Sequence, residues 1–99
     1  MEITYENEIM TAFLKGEIDH HTAAPIRSEI DGKAESMRPH VLRLDFSGVK
    51  FMDSSGIGLI MGRYRQISLL GGSLEVVNIP KNLEKIISLS GVCSLGVVK

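Results

Sequence analysis

The stretch VLRLDFSGVKFMDSSGIGLIMGRYRQI, residues 41–67, decides the fold that this sequence predicts. It opens with apolar and β-branched side chains over residues 41–46, a pattern typical of a strand. The Ser-Gly-Val-Lys that follows, residues 47–50, favours a turn. Apolar side chains then return at helical spacing over residues 57–67. Because the strand is followed closely by a helix, the stretch indicates an α/β fold.

The residues before this stretch predict a hairpin and then a helix. Residues 3–5 and 9–14 are β-prone, and Asn7-Glu8 between them favours a tight turn. We predict a loop over residues 16–22, because it ends in side chains that cap helices. Beyond the loop, apolar side chains recur every three or four residues, which predicts a helix over residues 23–37.

The residues after this stretch predict one more strand, one more helix and a short last strand. Residues 74–77 are apolar and β-prone, and Val97-Val98 indicates a short last strand. We therefore predict a single α/β domain over residues 1–99 with a mixed sheet of four to five strands. The helices packed against this sheet are expected near residues 23–37, 55–70 and 80–90.

The composition excludes several classes of protein. Eleven Lys and Arg against twelve Asp and Glu give a net charge of −1, which argues against nucleic acid as a direct partner. The one cysteine, Cys93, excludes an intramolecular disulfide and suits a reducing compartment. The longest uncharged run, residues 86–98, is too short and too polar to span a membrane. We expect a cytoplasmic protein with no membrane partner.

The segment FMDSSGIG, residues 51–58, carries the most information about function. Asp53, Ser54 and Ser55 lie where the second helix should begin, and all three are residue types that cap helices. One interpretation is that they only cap. The other is that one hydroxyl is displayed at the positive end of the helix for attack or modification.

Catalytic interpretations of this segment fail on spacing. A nucleophile elbow needs Gly-x-Ser-x-Gly, but Met52 occupies the first glycine position, and every histidine precedes Ser54. Gly56, Gly58 and Gly62 have one residue too many for a dinucleotide fingerprint, and no Gly-Lys-Ser or Gly-Lys-Thr phosphate loop occurs. We predict that the protein is not an enzyme and needs no cofactor.

Three further features have structural interpretations. The adjacent pair His20-His21 has no histidine four residues away, so we expect these rings to line a loop rather than bind a metal. Arg63 and Arg65 are typical of a solvated helix face. Gly58 and Gly62, four residues apart, favour close approach of the helix to the sheet or to a partner.

Taken together, three segments resemble the anti-sigma factor antagonists, which are small single STAS domains. They are GEIDHHTA (residues 16–23), FMDSSGIG (residues 51–58) and Gly-Arg-Tyr (residues 62–64). The pairing of Asp-His-His-Thr-Ala with Asp-Ser-Ser-Gly is most similar to the sporulation, sigma-F members of that family. The resemblance extends over nearly the whole chain.

The resemblance implies a binding switch. The unphosphorylated domain would bind an anti-sigma factor, a dimeric serine kinase carrying ATP or ADP, and so release the sigma factor. Phosphorylation on Ser54 would end binding, and a serine phosphatase would restore it. The implied partner-binding residues are Asp19, His20, Asp53, Ser54, Ser55, Gly56 and Gly58. The domain alone is expected to be a monomer. The alternative is a STAS domain that binds a small molecule or nucleotide at the same loop and helix end.

Overall fold

The computed structural model describes residues 1–99 and has the predicted α/β architecture. The strands are β1 (Glu2–Glu6), β2 (Ile9–Ile18), β3 (Val41–Met52) and β4 (Ser73–Val77). The helices are α1 (His20–Met37), α2 (Ser54–Leu69) and α3 (Glu84–Leu89), with 3₁₀ turns over Lys81–Leu83 and Val92–Leu95. None of these helices combines the length and apolar character needed to cross a membrane.

One mixed sheet carries the strands in the order β1-β2-β3-β4. The β1–β2 hairpin is antiparallel, and its turn residues Asn7 and Glu8 take positive φ angles of 53° and 65°, as a tight hairpin turn requires. The pairs β2–β3 and β3–β4 are parallel, so α1 and α2 are the crossovers between them. A single parallel bridge from Val98 to Val76 replaces the short fifth strand, and the predicted mixed sheet is confirmed.

The core lies between the sheet and the helices. Alternate residues of β2 and β3 face inward and are buried, as the period of two along a strand dictates. They are Met10, Ala12, Leu14, Leu42, Leu44 and Phe46. Ile30 and Ala34 of α1, with Ile60 and Ile67 of α2, cover them. Burying each such Leu or Ile side chain stabilises the fold by about 1.5–3 kcal/mol, which fixes both helices on the sheet.

Two of the predicted loops are wrong, and both errors have the same cause. β2 continues to Ile18 and β3 continues to Met52, so the loop expected over residues 16–22 shrinks to Asp19, and the turn expected over residues 47–50 is part of a strand. The two strand ends pair with each other through two register shifts. Local Gly and Ser signals for a turn are overridden here by hydrogen bonds between distant segments.

The predicted helices are confirmed with shifted boundaries. The first begins at His20 rather than residue 23, and it ends at Met37, because Arg38 takes a φ of 49° before Pro39. The second begins at Ser54 and ends at Leu69, one residue earlier than predicted at each end. The third, expected near residues 80–90, consists of a 3₁₀ turn followed by the short α3.

Candidate functional site

The paired ends of β2 and β3 bring two helix starts to one edge of the sheet. Ile18 pairs with Met52, and the backbone N–H of Asp53 donates to the carbonyl oxygen of Ile18 at 3.1 Å. Asp19 and Asp53 therefore stand one strand spacing apart, about 5 Å, at the point where each strand gives way to its helix. The segments GEIDHHTA (residues 16–23) and FMDSSGIG (residues 51–58) therefore meet at this edge.

Asp19 is the N-cap of α1. Its Oδ1 accepts hydrogen bonds from the backbone N–H groups of His21 at 2.9 Å and Thr22 at 3.0 Å. In return, the Asp19 N–H donates to Thr22 Oγ1 at 2.9 Å, which completes a capping box. The bond from the Thr22 N–H is the main reason that the pKa of Asp19 lies below its ordinary value. The carboxylate is thus held in its charged form at the edge.

Asp53 is the N-cap of α2, which settles the question of which residue caps this helix. Its Oδ1 accepts from the Ser55 N–H at 2.8 Å, and its carbonyl accepts from the Gly56 N–H at 3.0 Å. Ser54 is the first residue of the helix, and it is exposed. Its hydroxyl takes no part in the cap. Asp53 therefore caps the helix, whereas its neighbour Ser54 is exposed and takes no part in the cap.

The other predicted site residues differ in their accessibility. His20 is exposed at the start of α1, with its ring centroid 3.9 Å from that of His21, and Ser55 is half-buried. Gly58 is exposed, with open space around the position of a Cβ atom. Gly56 is buried, and a Cβ atom there would lie 2.6 Å from Met52 Sδ. Its burial leaves little of Gly56 for a partner to contact, and the absence of a side chain here allows α2 to pack against the end of β3.

Phe51, the second-last residue of β3, belongs to the site although it was not among the predicted site residues. Its side chain is 52% exposed, although most large apolar side chains in the chain are buried. Phe51 pairs with Glu17 of β2, which places it at the same edge of the sheet as Asp53. An apolar residue next to a run of capping residues was a usable signal in the sequence, but the predicted turn over residues 47–50 gave no indication of which way its side chain faces.

A groove of about 360 Å³ lies between the N-terminal halves of α1 and α2. Gly58 and Gly62 help to line it, and neither has an atom within 4 Å of its Cβ position, so these glycines open the groove and do not bring the helix closer to the sheet.

The expectation that Arg63 is solvated is wrong. It is 5% exposed, and its Nε lies 2.7 Å from Asp31 Oδ1 of α1, whereas Arg65 is exposed as predicted.

The family of the chain follows from a match to the STAS domain model over residues 1–97. The chain belongs to the STAS domain family. It is 31% identical over 91 residues to the anti-sigma F factor antagonist of Paenibacillus polymyxa, a match that covers 92% of this chain and 78% of that relative.

Solved structures show the same fold. The unphosphorylated form of the anti-sigma factor antagonist SpoIIAA matches 99% of this STAS domain and 84% of its own chain, with a TM-score of 0.85 and 27% identity. The phosphorylated form of the Bacillus cell fate determinant SpoIIAA matches 99% of this chain and 87% of its own, with a TM-score of 0.77. Both are similar to this domain over nearly its full length.

Proposed function

We propose that this STAS domain is an anti-sigma factor antagonist whose binding is switched off by phosphorylation of Ser54. The exposed hydroxyl of Ser54, at the first residue of α2 and outside the cap, is the observation that carries the proposal. A kinase can reach such a hydroxyl without unfolding the helix. The likeness to SpoIIAA, which is known in unphosphorylated and phosphorylated forms, supports the same conclusion.

The partner in this proposal is an anti-sigma factor that is also a serine kinase, dimeric and loaded with ATP or ADP. The binding surface comprises the exposed groups around the two helix starts, and Phe51 adds an apolar contact to it. Its other members are the exposed His20, Ser54 and Gly58 and the half-buried Asp19, Asp53 and Ser55. An apolar anchor surrounded by polar groups is the usual composition of a protein interface.

Charge explains how phosphorylation would end binding. A phosphoryl group adds about −1.5 to −2 charges at pH 7. In the free domain the positive end of α2 tolerates this charge, so the fold is retained. In the complex the phosphate lies in a desolvated interface beside the carboxylates of Asp19 and Asp53 and against a nucleotide-loaded partner. Repulsion of a few kcal/mol there lowers affinity about a hundredfold or more.

The proposed cycle needs two further proteins besides the sigma factor, which are the kinase itself and a serine phosphatase that restores the hydroxyl. The STAS domain acts in it by binding, as a monomer in the cytoplasm, and catalyses no step. The similarity to anti-sigma F factor antagonists favours a role in sporulation.

The alternative function, binding of a small molecule at the loop and helix end, is less well supported at that position. The Asp19 carboxylate already accepts from the N–H groups of His21 and Thr22, and the Asp53 carboxylate accepts from that of Ser55. A free anion would have to gain its binding energy beside these two carboxylates with few free donors, whereas a phosphoryl group on Ser54 is held there covalently.

The test is to incubate the chain with ATP and the anti-sigma factor of the same organism and to measure its mass. We expect the gain of one phosphoryl group, mapped to Ser54 by fragmentation. Ser54→Ala should prevent the gain, and the matched control Ser55→Ala should retain it. A phosphoryl group on Ser55, or none on either serine, would contradict the proposal.

A further inference from the structure

The two edges of the sheet differ in whether the chain itself covers them. At the β4 edge, the Val76 N–H donates to the Val97 carbonyl oxygen at 2.8 Å, and the Lys99 N–H donates to the Val76 carbonyl oxygen at 2.9 Å. At the other edge, no segment of the chain pairs with the outer side of β1. An open strand edge presents backbone groups with which a second extended chain can pair.

The outward backbone groups of β1 belong to Ile3 and Tyr5. The hairpin turn is two residues long, so Glu6 and Ile9 on either side of it form a hydrogen-bonded pair. Such pairs alternate along an antiparallel ladder, so Thr4 also bonds to β2, whereas the N–H and C=O groups of Ile3 and Tyr5 point away from it. The β1–β2 pairing has no register shift, so this edge offers two donors and two acceptors in the regular arrangement of a strand.

The helix side of β1 is apolar and has room for an added side chain. Ile3 and Tyr5 lie opposite core residues of β2, so their side chains face the helices, and Tyr5 is 40% exposed. A cavity of about 320 Å³ lies where the start of β1 meets the N-terminal part of α1. Its apolar lining consists of Met1, Leu14, Pro25 and Ile26. A strand added at this edge would therefore find a pocket for an apolar side chain.

The opposite side of β1 is acidic. Glu2, Thr4 and Glu6 alternate with the apolar residues, and all three are exposed. Neither glutamate takes part in any of the three salt bridges of the domain. These carboxylates favour positive side chains at the matching positions of an added strand. They also disfavour a second copy of this chain, because in an antiparallel pair of β1 strands centred on Thr4 each Glu2 would face a Glu6.

We propose that β1 binds an extended segment of a partner protein in which basic and apolar residues alternate. The backbone of this segment pairs with the outward groups of Ile3 and Tyr5. Its basic side chains lie beside Glu2 and Glu6, and an apolar side chain enters the cavity at α1. Backbone pairing supplies affinity in this mode of recognition, and the alternate side chains supply specificity. The surface does not include Ser54, so the proposal is independent of the phosphorylation switch.

The test is a titration of the full chain with the capped peptide Lys-Val-Thr-Val-Lys at constant ionic strength, followed by amide chemical shifts. This peptide places a lysine opposite both glutamates in either strand direction. We expect saturable shifts confined to β1, β2 and the cavity, with none at the start of α2. The peptide Glu-Val-Thr-Val-Glu, which has the same backbone and the opposite charge, should bind about fivefold or more weakly.

Reversal of the charge on β1 tests the choice of partner. The double variant Glu2→Lys with Glu6→Lys should reverse the preference, so that the glutamate peptide binds more tightly than the lysine peptide. The matched control, Glu29→Lys with Glu35→Lys, makes the same change of net charge on the exposed surface of α1 and should keep the original preference. A preference that reverses equally in both double variants would reflect net charge alone and would overturn the proposal.

A change at Tyr5 tests the backbone pairing. Because the Tyr5 N–H points away from β2, Tyr5→Pro removes one outward donor and leaves the β1–β2 ladder in place. It should weaken binding of the lysine peptide by about fivefold or more relative to Tyr5→Val, which retains the donor. Equal affinities of these two variants, shifts that do not saturate, or a dimer of the chain that the peptide does not dissociate would each contradict the proposal.

Discussion

The backbone N–H of Asp53 donates to the carbonyl oxygen of Ile18 at 3.1 Å, across the last rung of the parallel ladder between β2 and β3. Asp19 follows Ile18 directly, so this one bond sets the N-caps of α1 and α2 side by side. A flexible connection would leave the two motif segments free to move apart. The strand pairing instead presents them as one rigid edge, with the exposed Ser54 directly after the second cap.

Replacement of Ser54 should change binding without changing stability. Ser54 is exposed and does not cap α2, so Ser54→Ala and Ser54→Asp should each alter the free energy of unfolding by no more than about 0.5 kcal/mol. Ser54→Ala should bind the anti-sigma factor and resist phosphorylation, whereas Ser54→Asp should bind poorly because it adds a fixed negative charge. Urea denaturation and calorimetric titration measure the two effects.

The matched control for stability is Asp53→Ala, which removes the carboxylate that accepts a hydrogen bond from the Ser55 N–H. It should lower the free energy of unfolding by about 0.5–2 kcal/mol. Equal losses for Ser54→Ala and Asp53→Ala would show that the two residues share the cap, contrary to the division described above.

Particular residues show how much of this fold and site could be predicted from the sequence. Apolar spacing located every strand and helix of the fold, because burial of one face imposes that spacing. Asp53 and Ser54 were placed at the start of α2 by residue type alone. The rest depended on contacts between distant segments: β3 extends to Met52 because β2 pairs with it, and Arg63 is buried because α1 packs across it. No local pattern reveals either contact.

Two glycines of α2 should respond oppositely to alanine. At Gly56 the added Cβ would lie 2.6 Å from Met52 Sδ and 3.2 Å from Met52 Cβ, so Gly56→Ala should destabilise the domain by about 1–3 kcal/mol. At Gly58 the added atom meets open space, so Gly58→Ala should stabilise it by about 0.5–1 kcal/mol through higher helix propensity. Urea denaturation of both variants is the measurement. A stabilising Gly56→Ala would contradict the packing described for Met52.

Phe51 should contribute to affinity for the anti-sigma factor. Because its side chain is 52% exposed, Phe51→Ala should leave the fold intact, yet an aromatic side chain at an interface commonly contributes more than about 1 kcal/mol. We expect the Kd for the anti-sigma factor to rise by about fivefold or more. The control is Leu69→Ala. Leu69 is 81% exposed at the C-terminal end of α2, away from the helix start that carries Ser54, and its replacement should not affect binding. Similar effects of the two changes would place the interface elsewhere.

Asp45 should make stability depend on pH in the acid range. Burial by itself raises the pKa of this carboxyl, but hydrogen bonds from Ser47 N at 2.9 Å and Asn78 Nδ2 at 2.8 Å help to leave the pKa below its ordinary value. Because the folded pKa is lower than the unfolded value of about 3.9, the carboxylate stabilises the fold above that pH. This stabilisation is lost as the pH falls through the folded pKa.

The variant Asp45→Asn tests this dependence. At pH 7 it should be less stable than the unmodified chain by about 1 kcal/mol, the usual effect of weakening a buried hydrogen-bonded group. The difference should shrink as the pH is lowered below about 4, because the carboxyl is then protonated in the unmodified chain as well. Urea denaturation across this range measures it, and a difference that stays constant with pH would show that Asp45 acts through packing alone.

The central claim is that a phosphoryl group on Ser54 ends partner binding through local charge. The most direct measurement is the Kd of the phosphorylated and the unphosphorylated chain for the ATP-loaded anti-sigma factor, determined by calorimetry under identical conditions. The account predicts that phosphorylation raises the Kd by about a hundredfold or more, equivalent to about 2.7 kcal/mol of repulsion. Affinities that agree within about twofold, a difference of less than about 0.5 kcal/mol, would contradict it.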